Sequence, residues 1–227
     1  MFRNREDAGR KLAAKLKGRA FHDPLVLAIP RGGLSVGAVL AQELHAELDI
    51  VLSRKLRAPG QPELAIGAIS EDGRVYLNHY VKEFLDPWEE HLAEERRYQM
   101  AEIARRKKLI RAARPKASLA GRSVIVTDDG IATGSTMIAA LQDIKMQNPR
   151  EVIVAVPVAS PSRLKEIRRW CDEVVCLLTP EVFWAIGQFY EDFTQVEDEE
   201  VLALLRQFYP RSENLVDLAP AGVAEKR

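Results

Sequence analysis

The chain has 227 residues with 33 basic and 33 acidic side chains, so no global charge draws it to nucleic acid or to an anionic membrane. Hydrophobic residues make up 47% and charged residues 29%, the balance of a globular protein, and no apolar run approaches the ~18 residues of a membrane span. Two cysteines, Cys171 and Cys176, are too few for a disulfide framework and fit neither a CxxC redox pair nor a four-ligand zinc site, so both read as packing residues.

The N-terminus, MFRNREDAGRKL, lacks the apolar stretch of a signal peptide, and a cytoplasmic protein is expected. Asn4 stands as an N-cap with Asp7 three residues on, and Ala8, Leu12 and Leu16 recur at four-residue spacing, which predicts a helix over 5–17. Leu25–Ile29 is a continuous apolar run, the signature of a strand covered on both faces, and it ends in the sharp turn Pro30-Arg31-Gly32-Gly33. Helical periodicity follows over 34–46, then a second strand, DIVLSR, over 49–54; together these form a βαβ unit with parallel pairing.

LRAPGQPE, with two prolines and a glycine, reads as a loop over 56–63. ELAIGAIS and GRVYLN flank Glu71-Asp72-Gly73 as a hairpin. From about residue 82 to Ala113 the chain is charged and helix-friendly, with sparse apolar positions at Trp88, Leu92, Met100, Ile103 and Ile110. The stripe is too narrow for the helix's length in a monomer, so a homodimer or larger oligomer is expected. Within 96–116 there are nine basic residues against one acid, Glu102, read as a solvated face that balances the acids before it.

Ser123–Thr127 is the third strand, with a helix over 134–146; Glu151–Val158 is the fourth, followed by a short helix over 161–170; Glu173–Leu178 is the fifth. An aromatic stretch, EVFWAIGQFYEDF, leads to a final helix, DEEVLALLRQF, and residues 211–227 read as a flexible tail. The alternation predicts an α/β fold: a doubly wound, mostly parallel five-stranded sheet flanked by helices, as one domain over 1–210. Its core spans about 20–178, with a hood subdomain over 179–210, to which the N-terminal helix is a candidate addition, and a long charged helical insertion. Such folds bind ligands beyond the carboxyl ends of their strands, where PRGG, RKLRAPG, DDGIATGST and VPVAS all fall.

The informative stretch is VIVTDDGIATGST, residues 124–136. A strand runs into two carboxylates, Asp128 and Asp129, and then a loop of small and hydroxylic residues opens a helix. The amides of such a loop, the helix dipole and the hydroxyls of Thr133, Ser135 and Thr136 suit a phosphate dianion. The carboxylates repel that phosphate and suit two vicinal hydroxyls, or hydroxyls bridged to a divalent cation. Spaced about five residues apart, the two halves describe a 5-phosphorylated ribose. A P-loop is excluded because no lysine occurs between Arg122 and Lys145, and PRGGLSVG does not fit the GxGxxG dinucleotide turn.

This string resembles the phosphoribosyl-diphosphate (PRPP) binding motif of type I phosphoribosyltransferases, and the resemblance covers roughly residues 20–195. It implies a phosphoribosyltransferase-like fold and transfer of ribose 5-phosphate from PRPP to a nitrogenous acceptor, a nucleobase above all, with release of pyrophosphate and with Mg²⁺ as cofactor. Asp128 and Asp129 would contact the ribose hydroxyls, and Mg²⁺ directly or through those hydroxyls or water. Ala132, Thr133, Gly134, Ser135 and Thr136 would hold the 5′-phosphate. Arg31, Gly32, Gly33, Arg54 and Lys55 would face the pyrophosphate, with Arg31 and Lys55 acting on the leaving group. Segment 56–80 would be a closing lid carrying Glu63 as a candidate catalytic carboxylate.

Hypoxanthine-guanine members carry a further Asp where this chain has Ala132, which points away from a 6-oxopurine acceptor. Phe183 or Trp184 would stack on a base, with Glu191 or Asp192 as a metal or pyrophosphate contact; the competing and favoured reading of these aromatics is a hood core. The alternative function is a PRPP-sensing regulator on the same fold without turnover, some of whose relatives bind nucleic acid. Binding of this chain to nucleic acid is not expected, because the basic stretch 96–116 reads as a solvated face; no helix-turn-helix module precedes the core, which counts against a transcription-repressor arrangement.

Overall fold

In the computed structural model the described residues are 1–77 and 89–208, without the side chains of residues 62, 63 and 65. The Glu63 side chain, Trp88 with the first turns of the expected 82–113 helix, and the 211–227 tail therefore lie outside the described residues.

The chain opens with α1 (Arg5–Leu16), capped as its sequence indicates: Asn4 Oδ1 accepts a hydrogen bond from the Asp7 amide at 2.9 Å. Then follow β1 (Leu25–Ala28), α2 (Gly33–Glu43) and β2 (Glu47–Ile50). A small antiparallel unit comes next: β3 (Arg54–Ala58), β4 (Gln61–Ile69) and β5 (Val75–Leu77). The long helix α3 (Glu89–Ala113) leads to β6 (Ser123–Thr127), α4 (Ser135–Lys145), β7 (Glu151–Val158), α5 (Pro161–Ile167) and β8 (Glu173–Leu178). A 3-10 turn at Ile186–Phe189 and α6 (Asp198–Phe208) complete it.

The main sheet has five strands in the order β2-β1-β6-β7-β8, every neighbouring pair parallel, which agrees with the fully buried runs of β1 and β6 at its centre. Alternation along the strands divides the core in two. Val26, Ala28, Leu48, Ile50 and Ile125 face Leu12 of α1, Leu34 and Leu40 of α2 and Leu205 of α6. Leu25, Leu27, Val124, Val126 and Val154 face Met137 and Leu141 of α4 and Leu164 and Ile167 of α5. The sheet is thus wound on both faces. No helix among the described residues is long and apolar enough to cross a membrane.

Two sequence expectations are corrected. DIVLSR is not one strand: pairing with β1 ends at Ile50, and Arg54 already begins the small sheet by pairing with Ile69. Val51 and Leu52 are buried without being in a strand, and an apolar run alone does not distinguish a buried connection from a strand. Residues 56–63 are not a loop but the end of β3, a turn at Pro59-Gly60 with Gly60 at φ +68°, and the start of β4. The prolines and glycine mark a hairpin turn, not a break in the sheet. The expected hairpin at Glu71-Asp72-Gly73 is present between β4 and β5.

Helix α3 lies on this small sheet, with Ile103 buried among Leu56, Ile66 and Ile69. Its basic stretch is not a uniformly solvated face. Arg111 pairs with Asp49 and Glu71, each at 2.7 Å; Arg114, 1% exposed, pairs with Glu47; Lys116 meets Asp72 at 2.7 Å. The acids that balance these bases come from β2 and the hairpin turn, not from the preceding helical sequence. Glu95, turned inward, accepts from Arg57 Nε at 2.7 Å and from Gln99 at 2.8 Å. Burial opposes its charge, but these partners hold its pKa down at about 2.

Candidate functional site

The carboxyl ends of β1 and β6 set the site. Leaving β1, the chain turns through Pro30, Arg31, Gly32 and Gly33 into α2, and the Pro30–Arg31 peptide is cis. Leaving β6, it reaches Asp128 and Asp129. The two turns touch. A Cβ placed on Gly32 would lie 1.9 Å from Asp129 Oδ2, and one on Gly33 would lie 2.8 Å from Asp128 Cα. These glycines are required by close approach: any side chain would occupy the space of the carboxylate pair.

Asp128 is half-buried and Asp129 is 8% exposed. Burial and then the charge of Asp129 push the Asp128 pKa well up. Burial also raises Asp129, but Arg5 opposes that shift. Arg5 Nε donates to Asp129 Oδ2 at 2.8 Å and its Nη1 donates to the Thr194 carbonyl at 2.7 Å, while its guanidinium lies 3.9 Å from the centroid of the Phe193 ring. Tyr190 donates its hydroxyl to the Asp129 carbonyl at 2.6 Å. The segment carrying Tyr190 and Phe193 is tied to the N-terminus by Phe2 N–H to Phe189 O and Glu191 N–H to Phe2 O, each 2.8 Å. The start of the chain and the segment from Phe189 to Phe193 therefore form one frame behind Asp129.

After the carboxylates, Gly130 packs so closely on Ile186 that a Cβ would lie 2.7 Å from Ile186 Cγ2. Ala132, Thr133 and Thr136 are exposed and Ser135 is half-buried. Gly134 takes φ +81°, which only glycine adopts at low cost, and it begins α4 with no side-chain cap. The first amides of α4 and the residues Thr133, Ser135 and Thr136 thus gather at this helix start, an arrangement that can bind an anion.

Beside it, a cavity of about 140 Å³ is lined by Pro30, Ser53, Arg54, Lys55, Arg106 and Thr136, with Ile103 at its base. Arg54 and Lys55, expected from the sequence, are both there. Arg54 is oriented by Gln99 of α3, whose side-chain oxygen accepts from Arg54 Nε. Arg31 is not among the lining residues: it pairs with Glu197 at 3.3 Å and Asp198 at 3.8 Å, at the start of α6. A second cleft, of about 470 Å³, separates Thr133 and Ser135 from Gln61 and Leu64 of β4, with Gln142 and Arg163 along its wall.

The expected aromatic pair divides. Phe183 packs on Phe189 with ring centroids 5.2 Å apart, whereas Trp184 is 86% exposed. Asp192 accepts from the Thr194 amide and hydroxyl. Cys171 is buried and Cys176 half-buried, and burial pushes both thiols up to about 11, which fits packing residues. Among the described residues, no group of three or more His, Cys, Asp or Glu side chains could cage a metal ion. The acidic donors here are Asp128 and Asp129, a set that suits Mg²⁺ held largely by substrate oxygens and water.

Sequence reasoning missed Arg5, Tyr190, Gln99 and Arg106. None lies in a motif. The one available signal was the run of basic residues in α3, which the charge balance of the neighbouring sequence disguised.

Residues 2–194 match the family described as phosphoribosyl transferase domain. Two Mycobacterium tuberculosis proteins, from strains CDC 1551 and H37Rv and named as phosphoribosyl transferases with the activity unproven, are 42% identical over 227 residues. The alignment takes in 99% of this chain and 49% of theirs, so the chain spans about half the length of these curated relatives. A crystal structure of TT1426 from Thermus thermophilus superposes with a TM-score of 0.86 at 42% identity, covering 91% of this chain and 98% of that one.

Proposed function

This chain belongs to the phosphoribosyl transferase family, and we propose that it transfers ribose 5-phosphate from PRPP to a nitrogenous acceptor, a nucleobase in the first instance, with release of pyrophosphate. The observation that carries the reading is the contact between the Gly32-Gly33 turn and the Asp128–Asp129 pair, with the α4 cradle directly downstream. It supports reading the carboxylates, the loop into α4 and the basic cavity as parts of one site at the carboxyl edge of the sheet.

In the reaction the bond from ribose C1 to the pyrophosphate oxygen breaks and a bond from the acceptor nitrogen to C1 forms. Positive charge builds on the ribose ring and negative charge on the leaving group. Asp128 and Asp129 accept the ribose hydroxyl protons in hydrogen bonds and hold the ring. The amides and hydroxyls of residues 132–136 hold the 5′-phosphate at the positive end of α4. Arg54 and Lys55 face the departing pyrophosphate. Mg²⁺, when bound by substrate with help from Asp128 and Asp129, supplies further neutralisation of that charge. The β3–β4 hairpin borders the cradle from the far side of the larger cleft, which suits a wall that limits water at C1.

The test is a panel of nucleobases with PRPP and Mg²⁺, scored by pyrophosphate release. Turnover with any base supports transfer. PRPP binding by calorimetry with no turnover on any base would instead favour a PRPP-binding regulator. Changing Asp128→Asn and Asp129→Asn together is expected to weaken PRPP binding by about 100-fold, from two charge-assisted hydrogen bonds; unchanged affinity would remove the site assignment.

A further inference from the structure

Arg106 is a half-buried cation whose placement nothing above explains. Elsewhere on α3, Arg105 lies 3.5 Å from Glu102, and Arg111 is held by Asp49 and Glu71. Among the described residues, no carboxylate lies within ion-pair distance of Arg106, which is half-buried and opens onto the 140 Å³ cavity. Burial and then the positive charge of Arg54 push its pKa down, while Asp198 and Glu102 act on it more weakly.

Arg54, Lys55 and Arg106 line the cavity, and among the described residues its lining holds no aspartate or glutamate. Arg54 is hydrogen-bonded to a neutral amide, Gln99. Ser53 Oγ, in the same lining, is buried without a hydrogen-bond partner. Thr136 brings one hydroxyl of the α4 cradle to the rim. Arg54 and Arg106 act against each other beside a buried hydroxyl without a partner, and this set fits an anion with several oxygens.

Helix α3 makes the arrangement rigid. Gln99, Ile103 and Arg106 are four and three residues apart and so share one face. Ile103, 1% exposed, anchors that face in the small-sheet core, Gln99 orients Arg54, and Arg106 projects to the cavity.

We propose that Arg106 is a direct ligand of the diphosphate group, so that the inserted helix α3 supplies the far wall of the leaving-group site. This rests on the reading of the cavity as the place where pyrophosphate departs. The site then prefers a diphosphate over a single phosphate, because cations from β3 and α3 reach it from two sides.

The test is calorimetry on the full chain with two probes, inorganic pyrophosphate and ribose 5-phosphate, at fixed Mg²⁺ and salt. Arg106→Met is expected to weaken pyrophosphate by about 10- to 100-fold, the range of a charge-assisted hydrogen bond, and to leave ribose 5-phosphate within about twofold. Arg106→Lys should recover part of the loss, and Arg105→Met, on the exposed neighbour, should change neither affinity. Pyrophosphate affinity unaltered in Arg106→Met overturns the proposal. So does an equal loss for both probes, which would mean a structural role. If the wild-type chain binds neither probe, the functional reading itself fails, and that result is distinct because it precedes any substitution.

Discussion

Arg5 Nε lies 2.8 Å from Asp129 Oδ2, so a residue at the start of the first helix neutralises a carboxylate 124 positions away. Both side chains are 11% exposed. Removing Arg5 would leave a buried carboxylate without its partner and should cost about 3 kcal/mol of stability. The binding consequence is separate and has a definite sign. Burial raises Asp129 and Arg5 lowers it, so without Arg5 a larger share of Asp129 is protonated at mildly acidic pH. For Arg5→Met, the loss of ribose 5-phosphate affinity should be larger at pH 6 than at pH 8. Calorimetry at both pH values checks this, and an equal loss at each would mean that Arg5 does not act through the Asp129 charge.

The Gly32 contact predicts a loss of binding without a loss of fold. In Gly32→Ala the new Cβ falls on Asp129 Oδ2 at 1.9 Å, so the carboxylate must be displaced. Ribose 5-phosphate should bind at least about tenfold more weakly, the equivalent of one charge-assisted hydrogen bond. Gly18→Ala is the control. Gly18 has φ +86° with nothing within 4 Å of a Cβ, so it should lower stability by about 1 kcal/mol through backbone strain alone and leave binding intact. Far-ultraviolet circular dichroism and calorimetry on the two variants decide it.

Asp143, on the helix that follows the cradle, gives a pH dependence of stability. Burial pushes its pKa from 3.8 to about 6, with Lys116 opposing and Asp72 and Glu71 reinforcing the shift. A carboxyl raised on folding penalises the folded state above its folded pKa, and that penalty fades as pH falls through about 6 toward its unfolded value. Asp143→Asn should therefore be more stable than wild type at pH 8, by on the order of 2 kcal/mol. The difference should shrink toward zero near pH 4. Urea denaturation of both proteins at pH 4, 6 and 8 measures it; a difference that does not vary with pH would show that Asp143 does not carry the shifted proton.

The inner face of α3 shows where sequence reading failed and why. Glu95 and Gln99 look like ordinary members of a solvated charged helix. Yet they form a line from Arg57 through Glu95 and Gln99 to Arg54, and so connect the small sheet to the cavity. The helical period was legible in the sequence, but which polar residues turned inward depended on what lay across from them. The same limit explains DIVLSR, where a buried connection and a strand have one hydrophobic pattern.

The sequence by itself determined the five parallel strands apart from the bounds of β2, the helices between them and the Asp128-to-Thr136 stretch, because each is written in contiguous residues. Strand burial appears as an unbroken apolar run, a helix as a period, and the cradle as carboxylates followed by small residues leading into a helix. Tertiary structure alone decided that Gly32 abuts Asp129, that Arg5 and Tyr190 hold Asp129 from behind, that Arg31 turns to Glu197, and that Arg106 reaches the cavity. Those relations join residues far apart in the chain. They arise when packing brings separate elements together, and charge or hydrogen bonding between distant positions leaves no local pattern to read.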